Sequence, residues 1–457
     1  MHLRDDAKYR ISPFADNWRA LSTDWPYPSR FERHRHRRLW RGRLTFRSGY
    51  WIVAMAQLMT MAMSAVPTPL YVLYQRRDHF SSPVVSVIFA VYAAGVIASL
   101  FLVGHVSDWL GRRRVLVTGL YLNVASAFVF IVAPTLTGLL VGRVVSGISV
   151  GMTTATATAY LAESHQRARP EASPRRAQIV AIAVNLGGIG VGPLIAGVLA
   201  QFAPAPLALP YVVVGVTLAL LATLVLATPE TVAVASPRPR WHPQRVAVPR
   251  ESRGQFAAAV LAGLAAFAVY GVFSSLVPGF IAHAMGITSH AVAGAVAFSV
   301  FASGALAQVA LFALTPRVLL RSGLPLLLAG LTSLVVAMWV AALAVFVIGT
   351  VLTGIGAGLI FRGAMTSANE SARPEFRAEV LAGFFLGSYV GLSAPVVTLG
   401  VAQRYASPRT LLLVFSIIVV AVTTSAVWSL EARDPRRGSR LATRDCPAPH
   451  DVPTMGR

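Results

Sequence analysis

Residues 84–133 read VVSVIFAVYAAGVIASLFLVGHVSDWLGRRRVLVTGLYLNVASAFVFIVA. Two uncharged apolar runs, Val84 to Gly104 and Val115 to Ala133, flank a short break that holds Asp108 and the arginines Arg112, Arg113 and Arg114. Each run has about the length of roughly 20 residues that carries a helix through a 30 Å hydrocarbon core. In lipid a backbone can close its hydrogen bonds only within a helix or a closed barrel. Runs this long with no period-two alternation therefore predict a membrane hairpin with a charged turn.

The same pattern recurs from Tyr50 to Leu430. The chain is 55% hydrophobic and only 13% charged, about half the charge a soluble domain carries. Apolar runs between charged or Pro/Gly breaks predict helices over Tyr50 to Tyr74, Val84 to Gly104, Val115 to Ala133, Thr135 to Leu161, Gln178 to Gln201 and Leu207 to Ala227. A second set follows over Phe256 to Ala282, Ala291 to Leu314, Leu324 to Val340, Leu343 to Phe361, Val380 to Val401 and Thr410 to Leu430. The nearly unbroken run Leu324 to Phe361 is divided near Trp339. The fold class is thus an all-α polytopic membrane protein of twelve transmembrane helices. Its expected organisation is a basic tail over 1–49, a six-helix bundle over 50–227, a Pro- and Arg-rich linker over 228–254, a second six-helix bundle over 255–430 and a tail over 431–457.

The net charge of +22 would suit nucleic acid only if the basic residues shared a face. They do not. Twelve of the 40 Lys and Arg precede Tyr50, six follow Leu430, and nearly all the others sit in short breaks. With the N-terminus inside, 35 fall on inner segments and four, Arg76, Arg77, Arg404 and Arg409, on outer ones. By the positive-inside rule both termini are expected in the cytoplasm. The first 49 residues contain no apolar h-region, so the first helix is expected to act as an uncleaved signal anchor. The single cysteine, Cys446, allows no intrachain disulfide.

The two sets of helices are related. Gly142, Gly147 and Gly151 of helix four recur 207 residues later as Gly349, Gly354 and Gly358 of helix ten, and Glu163-Ser164 recurs as Glu370-Ser371 at the same offset. Pro193 of helix five matches Pro395 of helix eleven after a five-residue difference in the loop. Internal repeats of this kind build many secondary transporters.

Gly104, Asp108, Gly111, Arg112 and Arg113 form a G-x-x-x-D-x-x-G-R-R pattern between helices two and three. The pattern resembles the signature loop of the major facilitator superfamily. There it implies a gating latch that holds the two halves in the outward-facing state. A plain topology anchor would explain the arginines but not Asp108 or the glycines. Trp109 stands where the family has a basic residue, and the matching loop, Leu314 to Arg321, keeps two arginines but no acid, so a one-sided latch is expected. Pro67-Thr68-Pro69-Leu70-Tyr71 and Tyr160-Leu161-Ala162-Glu163 resemble a bacterial, drug- and metabolite-exporting branch.

Gly188, Gly192, Pro193 and Gly197 of helix five look like the antiporter motif of the same superfamily. Small residues four apart let helices touch, and the proline makes the helix pliable. Gly142-Arg143-Val144-Val145-Ser146-Gly147 resembles its fourth-helix arginine motif, which implies a place beside the substrate and proton path. An arginine at a helix centre costs about 2.5 to 3.5 kcal/mol, and Arg143 is the one basic residue assigned here to a membrane helix. Gln57, Asn185, Tyr270 and Tyr389 complete the expected path, with Asn123, Gln308 and Phe273 as further groups at depth. His283, near the outer end of helix seven, is in a position to titrate. All 18 Asp and Glu lie in tails, loops or helix ends, Asp78, Glu163 and Glu370 being nearest the path.

The resemblance implies a secondary transporter working by alternating access in a bacterial plasma membrane. The expected function is proton-coupled efflux, as an antiporter, of hydrophobic or amphipathic small molecules. Uptake of a polar organic solute and a transport-inactive sensor or scaffold are the alternatives. The expected partners are a small-molecule substrate, protons and the lipid bilayer, with no nucleic acid. A monomer without cofactor or metal is expected. No enzyme motif is present: there is no Cys/His metal spacing, no Ser/His/Asp set and no phosphate loop.

Overall fold

The computed structural model describes residues 44–104, 106–232, 243, 252–373 and 376–432. The N-tail before residue 44, His105, most of the linker including Ser236, and the C-tail with Cys446 lie outside the described residues, as does the side chain of His283.

Among the described residues every regular element is a helix, and twelve are long and apolar enough to cross a membrane. They are α1 (Phe46–Asp78), α2 (Ser82–Val103), α3 (Arg112–Val132), α4 (Leu136–Ala168), α5 (Arg175–Phe202) and α6 (Leu209–Leu226). The second bundle holds α7 (Arg253–Ser275), α8 (His290–Ala310), α9 (Pro316–Val340), α10 (Leu343–Glu370), α11 (Arg377–Ala402) and α12 (Pro408–Ala432). Gly104 to Arg114 mark one face of the membrane domain, the motif face; the other is the opposite face.

Three helices extend furthest beyond their expected boundaries. α4 runs on past Leu161 to Ala168, α9 begins at Pro316 rather than Leu324, and α10 runs past Phe361 to Glu370. A reading of apolar runs stops at the first charged group, whereas a helix continues while its polar side chains find partners or reach the interface. Arg362, expected in a loop, is therefore, with Arg143, the second buried arginine within a membrane helix among the described residues, only 8% exposed. The division between the ninth and tenth helices falls at Ala341, which turns the chain with a positive φ of 54°.

The repeat is built into the packing. Gly147 and Gly151 of α4 press on the backbone of α2 at Tyr92 and Val96, while Gly354 and Gly358 of α10 press on α8 at Val300 and Gly304. Gly142 faces Phe130 of α3, and Gly349 faces Gly330 and Leu334 of α9. Lipid gives helices no hydrophobic reason to associate, so backbone approach at small residues supplies the contact. The first helix of each bundle also breaks near its far end at proline. Phe46–Ala65 gives way to Pro67–Asp78, and α7 is followed by the short helix Val277–Met285 with Pro278 in its first turn.

Candidate functional site

A cavity of ≈ 70 Å³ lies between the bundles, deep in the protein. α1, α2, α4 and α5 line it from one side with Ser64, Phe89, Tyr92, Arg143 and Ile189. α7, α8 and α11 line it from the other with Phe267, Tyr270, Phe301 and Tyr389. The mutual approach of Gly95 and Gly147 brings α2 and α4 together, which seats the Arg143 guanidinium 4.4 Å from the centre of the Tyr92 ring and 5.4 Å from that of Phe89. Arg143 is 1% exposed. Its Nη1 donates to the Ser64 carbonyl at 2.5 Å, one turn before Pro67 and Pro69 remove backbone donors from α1. Its Nε is buried with no hydrogen-bond partner. The facing rings are ordered among themselves: Tyr270 stacks on Phe301 at 5.0 Å, and Phe267 meets Tyr389 edge-on at 5.6 Å.

The cavity is closed toward the opposite face. Gly197 of α5 lies against Gly294 and the His290 carbonyl of α8, Gly400 of α11 lies against Ser86 of α2, and the Gln201 Oε1 accepts from the His290 N–H at 2.9 Å. Toward the motif face the α5–α8 seam is bridged by a long side chain, Arg175, over the Phe312 ring at 5.4 Å. A larger cleft of ≈ 360 Å³ opens on the opposite face beside Gln75, Arg76 and Phe80, where Arg76 is exposed.

At the motif face the loop gathers charge around Arg112. Its Nη1 meets Asp108 at 2.5 Å and Ser107 Oγ at 2.6 Å, its Nη2 meets Glu163 of α4 at 3.1 Å, and its backbone N–H donates to Glu230 at 2.9 Å. Glu230, just beyond α6 and 9% exposed, also accepts from the N–H groups of Arg113, Thr231 and Val232. A carboxylate thus caps the N-terminus of α3, where the free N–H groups and the helix dipole favour negative charge. Gly111 makes this possible: its φ is +103°, and a Cβ there would come within 2.7 Å of Glu230 Oε2. In this conformation the ion pairs of Arg112 stay within the first half of the chain, and Asp108 itself is 59% exposed. Replacing Glu230 by Ala strands the buried N–H of Thr231 and the part-buried N–H groups of Arg112, Arg113 and Val232. We expect a loss of roughly 2 kcal/mol of stability, read as a lower unfolding midpoint in detergent, with the Gly111→Ala variant behaving alike.

A family model described as Major Facilitator Superfamily matches residues 53–394. The chain belongs to the Major Facilitator Superfamily. It is a membrane transporter rather than an enzyme. A crystal structure of a mutant of the nucleoside transporter NupG superposes with a TM-score of 0.64 at 12% identity, covering 83% of this chain and 99% of that one. The likeness shows the fold. Two proteins of Arabidopsis thaliana, D-xylose-proton symporter-like 2 and D-xylose-proton symporter-like 1, are 35% identical over 95 residues and 34% over 92. Each match spans 20% of this chain and 18% of the relative's length.

Of the path residues expected in this superfamily member, Arg143, Tyr270 and Tyr389 come together at the cavity. Gln57 and Asn185 do not line it. Gln57 Nε2 donates to Asn185 Oδ1 at 2.9 Å, and Asn185 Nδ2 to the Ala181 carbonyl, so this pair ties α1 to α5. Asn123 likewise bonds the Thr60 carbonyl of α1. The helix-five motif divides between two neighbours: Gly188 and Gly192 abut α1, while Gly197 and the Pro193 carbonyl abut α8. Arg362 donates to the carbonyls of Gln308 and Phe312 and lies over the Phe312 ring at 4.3 Å. It caps the C-terminal end of α8, where a cation complements the free carbonyls. The sequence reading missed Ser64, Phe89, Tyr92, Ile189, Phe267 and Phe301 at the cavity, and Glu230 at the loop. Only Glu230 offered a signal, an acid in an otherwise basic linker.

Proposed function

We propose that the protein is an alternating-access carrier that exports hydrophobic or amphipathic small molecules from the cytoplasm across a bacterial plasma membrane. The observation that carries this reading is the aromatic cavity between the bundles, with one buried guanidinium in its wall. Such a wall offers apolar area and few hydrogen bonds, which suits an amphipathic solute better than a sugar. Export is supported by the resemblance of Gly188, Gly192, Pro193 and Gly197 to the antiporter motif. Proton coupling is supported by family resemblance. A second reading, uptake of a polar organic solute, is favoured by the local similarity to the D-xylose-proton symporter-like proteins. Efflux and uptake of a labelled panel in proteoliposomes under an imposed pH gradient separate the two. Export of amphipathic compounds that collapses with the gradient supports the first, and accumulation of sugars or other polar solutes replaces it with the second.

Orientation is tested independently. With Cys446 replaced, single cysteines at Ser82 and Ser289 are expected to react with an impermeant maleimide from outside the cell, and those at Ser173 and Ser236 only after permeabilisation. Outside labelling at Ser173 inverts the proposed topology.

A further inference from the structure

We propose that the cavity takes an amphipathic organic monoanion of the aromatic carboxylate class, its carboxylate paired with Arg143 and its ring held by the aromatic side chains of the second bundle. The inference rests on the transport reading and narrows it.

Arg143 presents a planar guanidinium cation, and it is buried with no carboxylate beside it among the described residues. Asp78 pairs with Arg77 at 2.7 Å, Glu163 pairs with Arg112, and Glu230 caps α3. The Tyr92 and Phe89 rings offset part of the desolvation cost, and the Ser64 carbonyl takes one donor. Nε remains without a partner. A buried charge left this way is destabilising unless an anion or water reaches it, and the side chain forms part of the cavity wall. The missing counter-charge is therefore supplied by what enters the cavity. A planar carboxylate matches the guanidinium fork. A cation would meet repulsion at low dielectric. A dianion would satisfy one charge and strand the other, since no second cation lines the cavity among the described residues.

The rest of the wall specifies the body of the solute. Phe267, Tyr270, Phe301 and Tyr389 present edges and faces from α7, α8 and α11, an arrangement that accepts a flat ring in offset or edge-on contact. Charge recognition thus comes from one bundle and apolar recognition from the other, so a bound monoanion touches both.

The test compares one- and two-ring aromatic monocarboxylates with their primary amides, their amine counterparts and the matching dicarboxylates. Binding to the purified full-length protein is read by thermal shift and by equilibrium binding of labelled ligand. Monocarboxylates are expected to bind at least tenfold more tightly than amides or dicarboxylates, and amines not to compete. Arg143→Lys is expected to weaken carboxylate binding at least tenfold, and Arg143→Gln to erase the preference over the amide. Equal binding of amides or amines to the unmodified protein, or no binding of any carboxylate, overturns the proposal without depending on how a variant folds. Flux of neutral or cationic amphipaths in liposomes without carboxylate flux keeps the transport reading and overturns this one. Carboxylate binding with no flux of any compound supports this site and overturns the transport reading instead.

Discussion

Replacing Arg143 by Ala is expected to abolish transport while leaving folded protein in the membrane. The side chain is the one charged group in the cavity wall among the described residues, and its removal lifts an insertion cost of about 2.5 to 3.5 kcal/mol, so the fold has little reason to fail. What is lost is the fork of donors and the cation that the Tyr92 ring and the Ser64 carbonyl hold in place. Arg143→Lys keeps a charge but not the planar fork, and transport is expected to fall at least tenfold. The equivalent position in the second bundle is Thr350, a buried residue that bonds its own helix at the Phe346 carbonyl. The packing of α10 thus shows that the architecture itself needs no cation there. Normal flux through Arg143→Ala, measured across an imposed pH gradient, would remove Arg143 from the path.

The second large effect is expected at Gly197. A Cβ at this position would collide with the His290 carbonyl and come within 3.0 Å of the Gly294 Cα. Backbone atoms cannot yield as a flexible side chain can, so Gly197→Val is expected to prop α5 away from α8 and hold the opposite face open. Transport should drop at least tenfold, while a cysteine placed at Ser274 in the cavity wall should become reactive to an impermeant reagent from that face. Unchanged reactivity at Ser274 together with full transport would show that this seam is not part of the gate. The contrast with Gly187, which has open space around it, supplies the control: Gly187→Val is expected to leave transport within twofold.

The helix count was legible because a membrane helix closes its hydrogen bonds locally, so length and apolarity are enough. The ends were less legible. Arg362 ended the expected tenth helix because an arginine looks like an interface residue until the carbonyls of Gln308 and Phe312, some fifty residues away in the chain, are placed beside it. Arg143 could be read from its insertion cost together with the resemblance of Gly142 to Gly147 to the family's fourth-helix motif. Tyr270 and Tyr389 were found among many aromatics by depth, but depth does not report which face of a helix meets the cavity, and Tyr92, Phe89 and Phe301 depended on pairings between distant helices. Gln57 and Asn185 show the converse: two amides at the right depth spend their hydrogen bonds on each other. Glu230 was read as part of a linker, because nothing local says that the chain after α6 folds back onto the start of α3.

The asymmetry between Arg143 and Thr350 has an electrical consequence. A carrier that opens its central cavity first to one side and then to the other exposes the same fixed guanidinium to each aqueous phase in turn. Without solute, one positive charge is moved relative to the membrane field in every half-cycle, at about 2.3 kcal/mol per 100 mV for a full traversal. With a monoanion seated on it the cavity carries no net charge, and the reorienting step becomes indifferent to voltage. The membrane potential would then act on the empty carrier alone, favouring the empty conformation that faces the negative side.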